Sequence, residues 1–212
     1  MIRNSAFALL ITLSTSLYAA QPGGTTPDLA KAKSTAESIC VACHSADGNS
    51  TIPANPILAG QHREYLLKQL TEFKSVDGKP QVRNNAVMLG MTATLSGDDM
   101  RGLASYFSQQ KVKPAKATDP KLVAAGKILW RRGDPDKGIP ACAGCHGPAG
   151  AGLPVQYPRL AGQHAEYTET QLKNFRSEER SNDPERMMRT IADKLSDKQI
   201  KALADYIAGL RG

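Results

Sequence analysis

Twice in this 212-residue chain a histidine directly follows two cysteines spaced by two residues: Cys40-Val41-Ala42-Cys43-His44 and Cys142-Ala143-Gly144-Cys145-His146. Two thiols at that spacing can add across the two vinyl groups of one porphyrin, with the adjacent imidazole placed to bind its iron. This C-x-x-C-H pattern is the attachment site of haem c. A bare C-x-x-C would also suit a redox dithiol or half of a zinc site, but the trailing histidine in both copies favours haem. These are all four cysteines of the chain, so two haems would leave no thiol for a disulfide. The motifs predict two covalently bound haem c groups, held by Cys40, Cys43, Cys142 and Cys145, with His44 and His146 as axial iron ligands.

The sixth ligand of each iron must come from elsewhere, and an internal repeat narrows the choice. A shift of 102 residues carries Cys40 onto Cys142, Pro56 onto Pro158, Leu58-Ala59-Gly60-Gln61-His62 onto Leu160-Ala161-Gly162-Gln163-His164, and Tyr65 onto Tyr167. Gln69-Leu70 falls on Gln171-Leu172 and Phe73 on Phe175 in the same way. Further on the shift becomes 100, carrying Leu95-Ser96 onto Leu195-Ser196 and Tyr106 onto Tyr206. Under that second shift Met88 meets Met188, whereas Met91 meets Ile191, Met187 meets Val87 and Met100 meets Ile200. The residues therefore favour Met88 and Met188, placed in a loop before the last helix of each repeat. A thioether there gives a low-spin iron of higher potential than two imidazoles do. His62 and His164 also survive the repeat and stay as alternative ligands, although at a helix start their plain role is a cap or a surface contact.

The elements that must position these groups read as helices, with no alternating strand pattern. A first helix spans about Asp28 to Cys40 and about Pro120 to Arg131, leading towards each cysteine motif; Pro120 after Asp119 is a start signal. A second spans His62 to Phe73 and His164 to Phe175, with Tyr65, Leu66, Leu70 and Phe73 on one stripe. The last begins at Ser96 and Ser196, where Asp99 and Gln199 complete capping-box patterns. Its apolar face carries Met100, Leu103, Ala104 and Phe107, or Ile200, Leu203, Ala204 and Ile207. Trp130 is expected to pack the first helix of the second repeat. The fold class is all-α: two tandem domains related by duplication, residues 21–113 and 114–212, joined by a short Pro- and Lys-containing stretch, Lys111 to Thr118. Residues 1–20 read as a signal peptide, with Arg3, an apolar run from Ala6 to Leu17, and small residues at Ala19-Ala20. The run is short for a retained anchor, so the mature chain is expected outside the cytoplasm, most simply in a periplasm.

The duplicated C-x-x-C-H, the Leu-Ala-Gly-Gln segment, the tyrosine-bearing second helix and the Leu-Ser start of the last helix together resemble the cytochrome c4 family. The resemblance covers about Leu29 to Leu210. It implies two class I cytochrome c folds and His/Met ligation of both irons, by His44 with Met88 and by His146 with Met188. It also implies that the Pro56 and Pro158 carbonyls accept a bond from the proximal imidazoles, and that the haem propionate edges meet near a shared interface. The activity implied is electron carriage, from a quinol-oxidising complex or dehydrogenase towards a terminal oxidase, with no catalysis.

Charge fits that role. Residues 21–113 hold ten basic and eight acidic side chains, a net +2, and residues 114–212 hold sixteen and twelve, a net +4. Each reduced haem contributes about −2 through its propionates, leaving the whole mildly positive, which with few aromatics argues against nucleic acid as a partner. The more positive second domain suits an acidic redox partner or peripheral contact with an anionic membrane. A haem enzyme, or a cytochrome subunit of a larger oxidoreductase of peroxidase or thiosulfate-oxidising type, is the competing function. It would call for an open iron site or a thiolate ligand, and both repeats instead carry the same candidate pair.

Overall fold

The computed structural model describes residues 26–75 and 77–212; the segment read as a signal peptide, residues 1–20, lies outside them. Among the described residues the structure is helical, and isolated bridges such as Asp134–Ile139 and Leu153–Tyr157 stand in place of strands. In the first repeat α1 (Leu29–Thr35) runs through a π turn (Ala36–Cys40) into α2 (Val41–His44), followed by α3 (Arg63–Phe73), α4 (Ala86–Thr92) and α5 (Gly97–Ser108). The second repeat follows as α6 (Pro120–Arg132), α7 (Ala143–His146), α8 (Ala165–Arg176), α9 (Met187–Asp193) and α10 (Asp197–Gly209).

Local chemistry sets the helix starts. Asp28 accepts the Lys31 N–H at 2.9 Å, and Asp119 accepts those of Lys121 and Leu122 in front of Pro120. Both capping boxes form: the Ser96 hydroxyl takes the Asp99 N–H while the Asp99 carboxylate takes the Ser96 N–H, and Ser196 and Gln199 repeat the exchange. Each such cap satisfies donors that a helix end otherwise leaves open, worth about 1 kcal/mol.

The last helix of each repeat is the keel of its core. Leu103, Ala104 and Phe107, and in turn Ile200, Leu203, Ala204 and Ile207, are fully buried. Each large apolar side chain among them contributes about 1.5–3 kcal/mol by leaving water. The first helix crosses the keel where one partner is glycine. Gly102 of α5 meets Ala32 of α1, and in the second repeat Gly126 of α6 lies against Ala202 of α10. Trp130 is wholly buried beside Tyr206, and its indole N–H donates to the Pro148 carbonyl at 3.2 Å.

The first helix of the second repeat forms within a residue of its expected bounds: α6 stops at Arg132, and Gly133 turns the chain with φ 71° into a loop closed by the Asp134–Ile139 bridge. A side chain at Gly133 would stand 2.1 Å from the Ile139 carbonyl oxygen, so that turn leaves no room for a Cβ. One expectation is corrected: Met88 and Met188 do not lie in loops. They occupy the first turns of α4 and α9, started by the Asn85 side chain on the Met88 N–H and the Asp183 carboxylate on the Arg189 N–H.

Lys111 to Thr118 has no regular structure yet is pinned along its length. The Asn49 side chain bonds the Lys111 carbonyl and the Lys113 N–H, Ala115 N–H donates to Gly162, and Asp205 takes the N–H groups of Thr118 and Asp119. Gly60 and Gly162, both at positive φ, give it passage: a Cβ on either would stand within 2.5 Å of Val112 or Pro114.

Candidate haem sites

Cys40 closes the π turn and Cys43 and His44 lie in α2; Cys142 precedes α7, which carries Cys145 and His146. All four thiols are free of disulfides, and among the described residues no group of three or more His, Cys, Asp or Glu side chains is placed to hold a metal ion. That arrangement lacks the four-ligand set of a structural zinc site. Burial pushes the Cys40 and Cys142 thiols up to about 11, so neither behaves as an activated dithiol thiolate.

The two histidines are arranged alike. His44 Nδ1 lies 3.0 Å from the Pro56 carbonyl oxygen, and His146 Nδ1 lies 3.0 Å from that of Pro158. A carbonyl only accepts, so each Nδ1 carries the proton and each Nε2 keeps a lone pair. Burial pulls both imidazoles below the ordinary histidine range, more than the carbonyl bond raises them, which keeps them neutral. A buried, oriented, neutral imidazole with one free nitrogen is the chemistry of a metal ligand. In α4 Met88 is half-buried, with Val87 and Met91 exposed, an apolar surface that suits a macrocycle. Met188 holds the matching half-buried position in α9, whereas Met100 is core. The residues fit haem c in both repeats.

His62 and His164, the alternative ligands, stand at helix starts. Each precedes its helix as the N-cap residue, and His164 Nε2 meets the Ser50 carbonyl of the other repeat at 2.8 Å. His62 Nε2 is buried without a hydrogen-bond partner.

Between the repeats lies a polar interface that sequence reasoning missed. The Gln61 side chain grips the backbone of Arg159, donating to its carbonyl at 2.8 Å and accepting from its N–H at 2.9 Å. Gln163 grips Ile57 in the same way, at 3.0 and 2.8 Å. Because Ile57 and Arg159 are themselves repeat equivalents, 102 residues apart, the contacts obey a pseudo-two-fold axis. Further along, Arg83 bonds Gln69, Gln171 and the Tyr167 hydroxyl, and Arg180 bonds Gln171, Gln69 and the Tyr65 hydroxyl. Burial pushes the Tyr65 phenol up, but the charges of Arg180 and Arg83 outweigh it and hold it below its usual range. Tyr65 and Tyr167 thus reach across the interface rather than only into the apolar stripe. The available signal was the repetition of polar residues inside amphipathic helices, which core packing alone does not explain.

Known proteins match this arrangement. A model of the family "Cytochrome c" fits the chain twice, over residues 24–111 and 123–211. Cytochrome c4 of Thiocapsa roseopersicina is 45% identical over 194 residues, covering 91% of this chain and 96% of the relative. A thiosulfate dehydrogenase electron acceptor of Thiomonas intermedia (strain K12) is 43% identical over 172 residues, covering 80% and 77%. A crystal structure of reduced cytochrome c4 from Pseudomonas stutzeri superimposes with a TM-score of 0.80 at 43% identity, covering 88% of this chain and all of that one.

Proposed function

The chain belongs to the cytochrome c family as a di-haem electron carrier with two covalently bound haem c groups, and from that membership we propose that it is an exported shuttle. It takes electrons from a quinol-oxidising complex or dehydrogenase and passes them towards a terminal oxidase in the periplasm. Bound haem c supplies a one-electron ferric/ferrous couple at each site. In this reading Cys40, Cys43, Cys142 and Cys145 hold the haems, and the irons are ligated by His44 with Met88 and by His146 with Met188. The domains divide between residues 113 and 114.

The observation that carries the reading is the equivalence of the two sites: both imidazoles are fixed at 3.0 Å to a proline carbonyl, and of the two methionines in each matching short helix one, Met88 or Met188, is a repeat equivalent. With His44 and Met88 holding one iron and His146 and Met188 the other, each haem would suit relay rather than turnover, because no position would be left for substrate. The chain's residues orient the ligands, exclude water from Nδ1 and hold the two halves in register. The test is purification from the exported fraction with haem staining, mass measurement, redox titration and a peroxidase assay. Two acid-resistant haems, two reversible couples and no peroxidase activity are expected. Acid-extractable haem, or rapid peroxide turnover, overturns it. Likeness to the Thiomonas electron acceptor favours a second reading of the donor, in which a thiosulfate-oxidising dehydrogenase reduces the protein; thiosulfate-dependent reduction in the presence of such an enzyme distinguishes it.

A further inference from the structure

The glutamines at the interface touch more than a neighbouring backbone. The Ile57 N–H and the Pro56 carbonyl belong to one peptide group. Gln163 Oε1 accepts from that N–H at 2.8 Å, and the carbonyl accepts from His44 Nδ1 at 3.0 Å. On the other side of the axis Gln61 Oε1 accepts from the Arg159 N–H at 2.9 Å, and the Pro158 carbonyl of the same peptide group accepts from His146 Nδ1 at 3.0 Å. Neither amide can turn over. Each Nε2 donates to the carbonyl of the residue it grips, and each Oε1 also takes the N–H of the following histidine at 3.0 Å. Both side chains are buried, so water does not compete for these bonds.

A hydrogen bond to an amide N–H polarises the whole peptide group and makes its carbonyl a stronger acceptor. A stronger acceptor on Nδ1–H gives the imidazole more imidazolate character, which favours ferric iron. We propose that each domain tunes the haem of the other: Gln163 is a positioning residue for His44, and Gln61 is one for His146. The relay runs from the glutamine oxygen through one peptide group to the proximal imidazole, and it is complete only while the domains are docked. Docking and both potentials are thereby linked.

The inference rests on His44 and His146 being iron ligands. That reading has its own check: the reduced native protein must show two imidazole Nδ1–H proton resonances shifted by haem ring currents, and their absence removes the ligand assignment before any variant is made. The test itself follows each haem by its own NMR signals during redox titration of the holoprotein and of Gln163→Leu, Gln61→Leu and Gln163→Glu. Gln163→Leu is expected to raise the potential of the His44 haem alone. At the native midpoint its reduced-to-oxidised ratio moves from one to about three, or about 28 mV at 59 mV per tenfold. The His44 Nδ1–H resonance moves with it. Gln61→Leu is expected to do the same to the His146 haem alone. Gln163→Glu keeps an acceptor on the Ile57 N–H and leaves the His44 potential at or below its native value. If both leucine variants shift the same haem, or shift both equally, loosened docking explains the result and the relay is wrong. A rise with Gln163→Glu equal to that with leucine, or no shift in either leucine variant, overturns it as well.

Discussion

Arg83 reaches from the first repeat to the phenol of Tyr167, with 3.0 Å between guanidinium nitrogen and hydroxyl oxygen, and Arg180 meets Tyr65 at the same distance from the other side. Neither guanidinium forms an ion pair among the described residues. Each instead lies over a ring, Arg83 at 4.5 Å from the Phe73 centroid and Arg180 at 4.4 Å from that of Phe175. Arg180→Ala strips Gln69, Gln171, Asn182 and Tyr65 of a buried donor at once. The expected loss is about 2–4 kcal/mol in urea unfolding, with Arg180→Lys recovering little because an ammonium cannot span the fork of acceptors. A loss below about 0.5 kcal/mol would show that this cluster does not hold the domains together.

Gly126 carries a second prediction. An alanine Cβ there would stand 2.2 Å from the Ala202 carbonyl oxygen and 2.6 Å from Tyr206 Cβ, both on α10. The helices must move apart, so Gly126→Ala is expected to cost about 2–3 kcal/mol despite alanine's better helix propensity. At the equivalent crossing the neighbour is the Ala32 Cβ at 3.2 Å, and Gly102→Ala should stay within about 1 kcal/mol of native. Thermal melts of the two variants read the contrast, and equal effects would contradict it.

The distal ligands are open to spectroscopy. The oxidised protein should show the weak long-wavelength band of methionine-to-ferric charge transfer, and Met88→Ala and Met188→Ala should each remove about half of it. His164→Ala should keep the whole band while losing the 2.8 Å bond to Ser50. Loss of low-spin character in His62→Ala or His164→Ala, with intact spectra in the methionine variants, would transfer the assignment to histidine.

The linker should answer to acid. The Lys113 ammonium beside Asp47, outweighing the modest effect of burial, holds that carboxyl down at about 2, below the ordinary 3.8. A carboxyl lowered in the folded state stabilises above its unfolded pKa, and that contribution is lost as pH falls through the folded value. The protection of the Lys113 amide against exchange, taken relative to its intrinsic rate at each pH, should therefore hold above about pH 4 and fall towards pH 2, since its N–H is bonded to Asn49. In Lys113→Ala the loss of protection should begin at a higher pH. Identical acid profiles for both proteins would show that the pair does not anchor the linker.

Much of this molecule is written locally. Cys40 through His44 and Cys142 through His146 name the cofactor because attachment chemistry needs those groups within one helical turn. Ser96 with Asp99 and Ser196 with Gln199 mark helix starts because a cap closes over three residues. The repeat paired Met88 with Met188 without any structure. Other features were hidden from it. Seven-residue helices such as Ala86–Thr92 are too short to hold themselves in water and carry too few turns to show a period, so a loop was the natural reading. The Leu-Ala-Gly-Gln segment was visible only as a repeated string. Its glycine proves to admit the linker and its glutamine to grip a peptide 98 or 106 positions away. Hydrogen bonds at that separation leave no trace in local propensity or periodicity. They exist because two copies of one fold meet about an axis that places Gln61 against Arg159 and Gln163 against Ile57, and only the packed tertiary structure supplies that axis.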